Sequence, residues 1–152
     1  MKNIITAALV SFSAITFSQS NQVQNASNYL RNKEIDKAKA SADAASVHES
    51  TINNPKLWKY RGQIYQEIYF SKDPAIKVLD AEAEEKALDS YIKCLKNDKD
   101  KFYQQEEGGV KGLIVQATAA VSNKANVYKN NKENFAGCVL LPPYMPRCFL
   151  VY

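Results

Sequence analysis

The stretch Trp58-Lys-Tyr-Arg-Gly62-Gln-Ile-Tyr65 sets an aromatic, a glycine and a second aromatic at helical spacing. Glycine inside a helix costs about 1 kcal/mol relative to alanine, so Gly62 needs a compensating contact. A second helix lying against its bare backbone provides one, with Trp58 one turn before and Tyr65 one turn after on the same face. Burying an aromatic side chain of about 150 to 250 Å² at about 25 cal/mol per Å² gives roughly 4 to 6 kcal/mol as an upper bound, more than the glycine penalty. The alternative is a chance glycine in an ordinary amphipathic helix. The residues on either side weigh against it.

Upstream, Tyr29 is followed at nine, thirteen and sixteen residues by Ala38, Ala42 and Ala45, whose steps of four and three place them on one helix face. So small a stripe lets a neighbouring helix pack close. Downstream, Ala87, Tyr91 and Cys94 repeat those steps, at 22, 26 and 29 residues from Tyr65. The excess of thirteen predicts an insertion, roughly residues 70–79, between two helices that pair.

The full pattern is helical throughout. An amphipathic segment spans 22–30, a polar turn 31–34, and a second helix 35 to about 47. Residues 48–54 read as a loop, and Pro55 suits the first turn of the next helix. That helix stops at Ser71-Lys-Asp-Pro74, since proline removes a donor and disfavours helix in the residue before it. The segment to Leu79 reads as irregular, with Asp80 as N-cap of a helix whose start carries Glu82, Glu84 and Glu85, carboxylates that complement the helix dipole. After a turn at 97–101, a long helical stretch runs from Phe102 to about Asn130, broken at Gly108-Gly109. Shifting the first unit by 99 residues lays Ala26, Tyr29, Asn32, Lys33 and Glu34 on Ala125, Tyr128, Asn131, Lys132 and Glu133.

With 152 residues, 45% of them hydrophobic, the chain has material for one modest core and not two. The net charge of +4 is spread among interleaved acids and bases, which argues against a nucleic-acid surface. Residues 1–18 have the form of a secretory signal peptide: Lys2, then the apolar run Ile4 to Phe17, then small residues before a cut after Ser18 or after Ser20. That run is shorter than the roughly 20 residues of a membrane span, so no span is expected once the signal is removed. The expected location is exported, periplasmic or secreted. Cys94, Cys138 and Cys148 are an odd set without metal spacing, and Cys94 falls on an inward helical stripe.

Taken together, these features resemble the tetratricopeptide repeat family, whose unit is two antiparallel helices with Trp-x2-Leu-Gly-x2-Tyr, then Ala-x3-Phe, then Pro. The chain supplies Trp58-x2-Arg61-Gly62-x2-Tyr65, then Ala87-x3-Tyr91-x2-Cys94, and before it Ala26-x2-Tyr29, then Ala38-x3-Ala42-x2-Ala45. Arg61 stands where the pattern has leucine, and no proline closes either unit. The resemblance implies an all-α short superhelical solenoid, about two full α-α hairpin units and a partial third, over residues 21–138. Signal, repeats and insertion together are similar to exported repeat proteins of Bacteroidetes, for which partner binding in the envelope is the implied role. By the same resemblance the first helices of successive units line a concave groove, which Ser27, Arg31, Lys56, Lys59, Gln63 and Gln66 would face. Residues 139–152 depart from the pattern: three prolines forbid a helix, and one arginine is the only charge. A truncated or frame-shifted C-terminus is the expectation, against an apolar docking tail.

Catalysis finds no support. His48 is the only histidine and lies in a polar loop, so neither a triad nor a zinc site has a second imidazole. Asp98-Lys-Asp100 opens like a calcium loop, but Phe102 takes the next ligand position. Gly108-Gly109-Val-Lys111 lacks phosphate-loop spacing. No metal or cofactor is expected. The expected function is a non-enzymatic interaction module or scaffold of the cell envelope that binds a partner peptide or helix. The alternative is a fragment of a longer repeat protein, without binding activity of its own and prone to self-association.

Overall fold

A computed structural model describes residues 21–105 and 109–130; residues 1–18, expected to be a signal peptide, the 139–152 tail, Cys138, Cys148 and the 131–133 part of the internal similarity lie outside them. The described residues are all-helical. Helix α1 covers residues 21–31, α2 Ile35–Ser46, α3 Pro55–Phe70, α4 Pro74–Lys77, α5 Ala83–Asn97, α6 Phe102–Gln105 and α7 Val110–Asn130. The α3 to α5 interface is the most extensive, followed by α5 to α7 and α2 to α3, so the long helices pack chiefly against their neighbours along the chain.

Local sequence accounts for the ends of the helices. The α1 to α2 turn closes with Glu34 N–H donating to Tyr29 C=O at 2.9 Å and Lys33 N–H to Leu30 C=O at 3.1 Å. This double closure needs a left-handed residue, and Lys33 takes it at φ 62°. A side chain there costs about 1 kcal/mol that glycine avoids. Lys33→Gly should therefore raise the thermal midpoint by a few degrees, read by circular dichroism, because only an exposed ion pair is lost with it. Pro55 opens α3, and the Asn54 side chain caps it by accepting from Lys56 N–H at 3.0 Å. Thr51 and Trp58 pin the loop between: Thr51 Oγ1 donates to Ala45 C=O at 2.5 Å, and Trp58 Nε1 to Ile52 C=O at 2.6 Å.

Two expectations from the sequence need correction. The segment expected to be irregular contains the one-turn helix α4, because Asp73 caps it through Ala75 N–H and Pro74 occupies its first turn. Asp80 is not the N-cap of α5. That position is Glu82, and Asp80 instead accepts from Glu82 N–H at 3.0 Å and binds Lys86 at 2.8 Å.

The core is built from the small residues and the aromatics they accommodate. Ala38, Ala42, Ala45, Trp58, Gly62, Tyr65, Ala87, Tyr91 and Cys94 are all buried, and Tyr29 packs against them half-buried. The helix that meets Gly62 is α5: a methyl group on Gly62 would overlap the Tyr91 ring. On α7 the buried stripe is Val110, Ala117, Ala120 and Val121, whereas Ala125, the counterpart of the fully buried Ala26, is only half-buried. The internal similarity at 125 therefore does not mark the packed face of α7. Lys124 ties α7 to α5, reaching Glu84 at 2.5 Å, Glu85 at 3.2 Å and Ala81 C=O at 3.0 Å. Burial works against its ammonium, but the two carboxylates hold its pKa above the ordinary lysine value.

Candidate functional site

A groove of about 490 Å³ opens where α1 ends and α3 and α7 pass. Leu30 and Arg31 enter it from α1, Lys33 and Ile35 from the following turn and helix, and Gln63, Gln66, Glu67 and Phe70 from α3. Ser71, Ile76 and Leu113 complete it. The spacing of Gln63, Gln66 and Phe70 explains why α3 forms one wall: steps of three and four put them on one face, about a third of a turn round from the buried Trp58 and Tyr65 stripe. A second hollow of about 640 Å³, lined by Tyr69, Lys72, Pro74, Lys77 and Val78, shares Phe70 and Ser71 with the first.

Of the six residues expected in such a groove, the structure gathers three: Arg31, Gln63 and Gln66. Ser27 is 5% exposed and belongs to the packed face of α1, since it sits beside the fully buried Ala26. Lys56 lies over the Tyr60 ring at 5.9 Å and Lys59 over the Tyr103 ring at 5.1 Å, at the other end of α3. The shift has a simple cause. The groove forms at the C-terminal half of α3, where the chain turns away into α4, and not along its whole length.

The groove polar groups are ordered from behind. Tyr91 donates its hydroxyl to Gln66 Oε1 at 2.5 Å, and this orients the Gln66 amide so that Nε2 donates to Gln116 Oε1 on α7 at 2.8 Å. Burial, with help from Glu67 and Cys94, pushes the Tyr91 hydroxyl well above its ordinary pKa, so it stays a donor. Lys33 and Glu67 pair at 3.2 Å across the rim, and Arg31 Nη2 donates to Asn28 Oδ1 at 2.7 Å.

Sequence reasoning missed a polar cluster on the opposite side of α3. Arg61 donates through Nε to Asp43 at 3.1 Å on α2 and through Nη1 to Ser90 Oγ at 2.8 Å on α5, and its guanidinium stacks 4.6 Å from the Tyr65 ring centroid. Tyr65 donates its hydroxyl to Asp43 at 2.8 Å, and Lys39 bridges Asp43 at 3.1 Å and Asp80 at 3.7 Å. The one signal in the sequence was Arg61 itself, standing where the resembled pattern has leucine; nothing local marks Asp43 or Ser90 as its partners. Burial raises the Tyr65 pKa; the nearby Arg61 charge opposes this and the bond to Asp43 adds to it.

Asp80 makes this cluster acid-sensitive. Burial alone would raise its pKa, yet the hydrogen bonds from Lys86 and Glu82 N–H hold it below its ordinary 3.8. A depressed carboxyl contributes stability that is complete above the unfolded value and lost as pH falls through the folded one. Asp80→Asn should therefore be less stable than wild type at about pH 7 and lose less stability between about pH 4 and 2, by urea unfolding. Parallel acid curves would rule this out.

Among the described residues no group of acids, cysteines and histidine is placed to hold a metal ion, and no helix is long and apolar enough to cross a membrane. Asp98 spends its carboxylate on α6, accepting from Phe102, Tyr103 and Gln104 N–H at 2.8 to 3.1 Å. His48 Nδ1 sits 2.9 Å from Ser50 Oγ. No family model, curated protein or solved structure matches this chain.

Proposed function

We propose that the chain is a non-enzymatic interaction module of tetratricopeptide type, exported to the cell envelope, that binds a partner segment in the groove between α1, α3 and α7. The observation that carries the reading is the groove itself. It is a half-polar, half-apolar trough walled chiefly by the end of α1 and the C-terminal half of α3, with Ile35 at the start of α2, Ile76 on α4 and Leu113 on α7 closing it. Hairpins stacked side by side leave such a trough on the face of their first helices. The Ala38, Ala42, Ala45 and Gly62 contacts supply the close packing that such stacking requires. A photo-crosslinking side chain at Gln63, compared with one at the exposed Ala44 on α2, tests it in envelope extract. Discrete products from position 63 alone are expected, and equal labelling from both positions would remove the groove as the binding surface.

A second reading is favoured by one feature of α7. Val115 and Val127 are 68% and 55% exposed, and Gly112 faces open space. On this reading the chain self-associates along α7 and has no groove ligand. Size exclusion of the chain and of its Val115→Glu variant separates the two: oligomers that disperse in the variant favour self-association along α7, and a monodisperse monomer in both favours the groove.

A further inference from the structure

We propose that the occupant of the groove is an extended acidic polypeptide segment with apolar side chains at alternate positions; this rests on the groove reading above. Charge is the first ground. The groove is lined by two cations, Arg31 and Lys33, and by one carboxylate, Glu67, already paired with Lys33, and the second hollow, which shares Phe70 and Ser71 with it, adds Lys72 and Lys77 and no acid. Arg31 meets only the neutral Asn28 among the described residues. A ligand carrying carboxylates is the complement of such a rim.

The backbone at Lys33 is the second ground. A lysine stands at φ 62°, where glycine is the unstrained choice, and its side chain lines the groove. The turn itself does not require a cation, and although Lys33 meets Glu67 at 3.2 Å, both side chains are largely exposed and its ammonium stays open to a ligand carboxylate.

The amides distinguish an extended ligand from a helix. The Gln63 carboxamide has no hydrogen-bond partner among the described residues, and it lies one turn before Gln66, whose amide is held by Tyr91. A helical ligand satisfies its own backbone groups and leaves such carboxamides unused, whereas an extended segment presents free N–H and C=O groups along its length. Alternate side chains of that segment point to opposite sides. One set meets Leu30, Ile35, Phe70, Ile76 and Leu113, and the other meets the cationic rim.

The probe is an end-blocked octapeptide alternating aspartate with leucine, labelled for fluorescence anisotropy and titrated with the full chain. Two controls replace aspartate by lysine or methylate alternate backbone nitrogens. Expected are binding of the acidic peptide that weakens with salt, loss of binding for both controls, and about tenfold weaker binding by Arg31→Glu. Arg31 is exposed, and circular dichroism verifies the fold of the variant. Gln63→Leu should weaken binding without changing its salt slope. Equal binding of the lysine peptide, or no effect of backbone methylation, overturns this inference and leaves the groove reading standing. Failure of all three peptides to bind also overturns it, and the Gln63 crosslink then decides separately whether the groove binds anything.

Discussion

Gly62→Ala is expected to cost about 2 kcal/mol of folding stability, although alanine is the better helix former by about 1 kcal/mol. The added methyl group overlaps the Tyr91 ring, and that ring cannot withdraw. It is fully buried, and its hydroxyl is tied to Gln66. Overpacking of this kind costs about 1 to 3 kcal/mol and occasionally more, so the net sign is set by Tyr91 and not by helix propensity. The prediction is specific to the pair. In a Tyr91→Leu background the same Gly62→Ala change should cost little or even stabilise, and denaturant unfolding of the four proteins gives the coupling. Additive losses would mean that Tyr91 is not the obstacle.

The second large effect belongs to Arg61. Replacing it by leucine, the residue that the repeat pattern prefers, should destabilise the chain by about 3 kcal/mol. Arg61 Nε and Nη1 hold Asp43 on α2 and Ser90 on α5, and its side chain is only 12% exposed. Leucine satisfies neither partner and leaves the Asp43 charge to Tyr65 and Lys39 alone. The fully buried Ser90 loses a charged hydrogen bond, and Asp43, a third exposed, loses its guanidinium partner, each a charge-assisted bond of about 1.5 to 3 kcal/mol before solvent screening. Asp43→Asn in the Arg61→Leu background should recover part of the loss, since the amide requires less compensation than the carboxylate. An Arg61→Leu protein as stable as wild type would show that the cluster is decoration.

These two positions also show how far the sequence could be read. The all-helical architecture was legible because small residues recur in steps of three and four from Tyr29 to Cys94, and because Pro55 and the turn at 31–34 punctuate them. Gly62 was legible for the same reason: a glycine between two aromatics on one face has few other uses. Arg61 was visible only as a departure from a pattern. Its partners lie 18 and 29 residues away and become neighbours only once α2, α3 and α5 are packed, so no local periodicity announces them.

The groove was legible in part. The face of α3 follows from helical spacing, so Gln63 and Gln66 could be assigned. The part of α3 that is left open depends on where α4 turns the chain away, and this excluded Lys56 and Lys59 while bringing in Glu67 and Phe70. Ser27 was misplaced because a serine beside Ala26 carries no sign of which flank is buried. Lys33 escaped notice because its left-handed backbone is a property of the closed turn and not of the lysine.

The packing of the hairpins depends on α5 lying directly against the bare backbone of residue 62. A proton NMR spectrum of the folded chain tests this at one atom pair. It should show cross-relaxation between the Gly62 α-protons and the Tyr91 ring protons, with the α-protons displaced from ordinary helical glycine positions by the ring current. Gly62 α-protons at unperturbed positions, with no cross-peak to Tyr91, would contradict it.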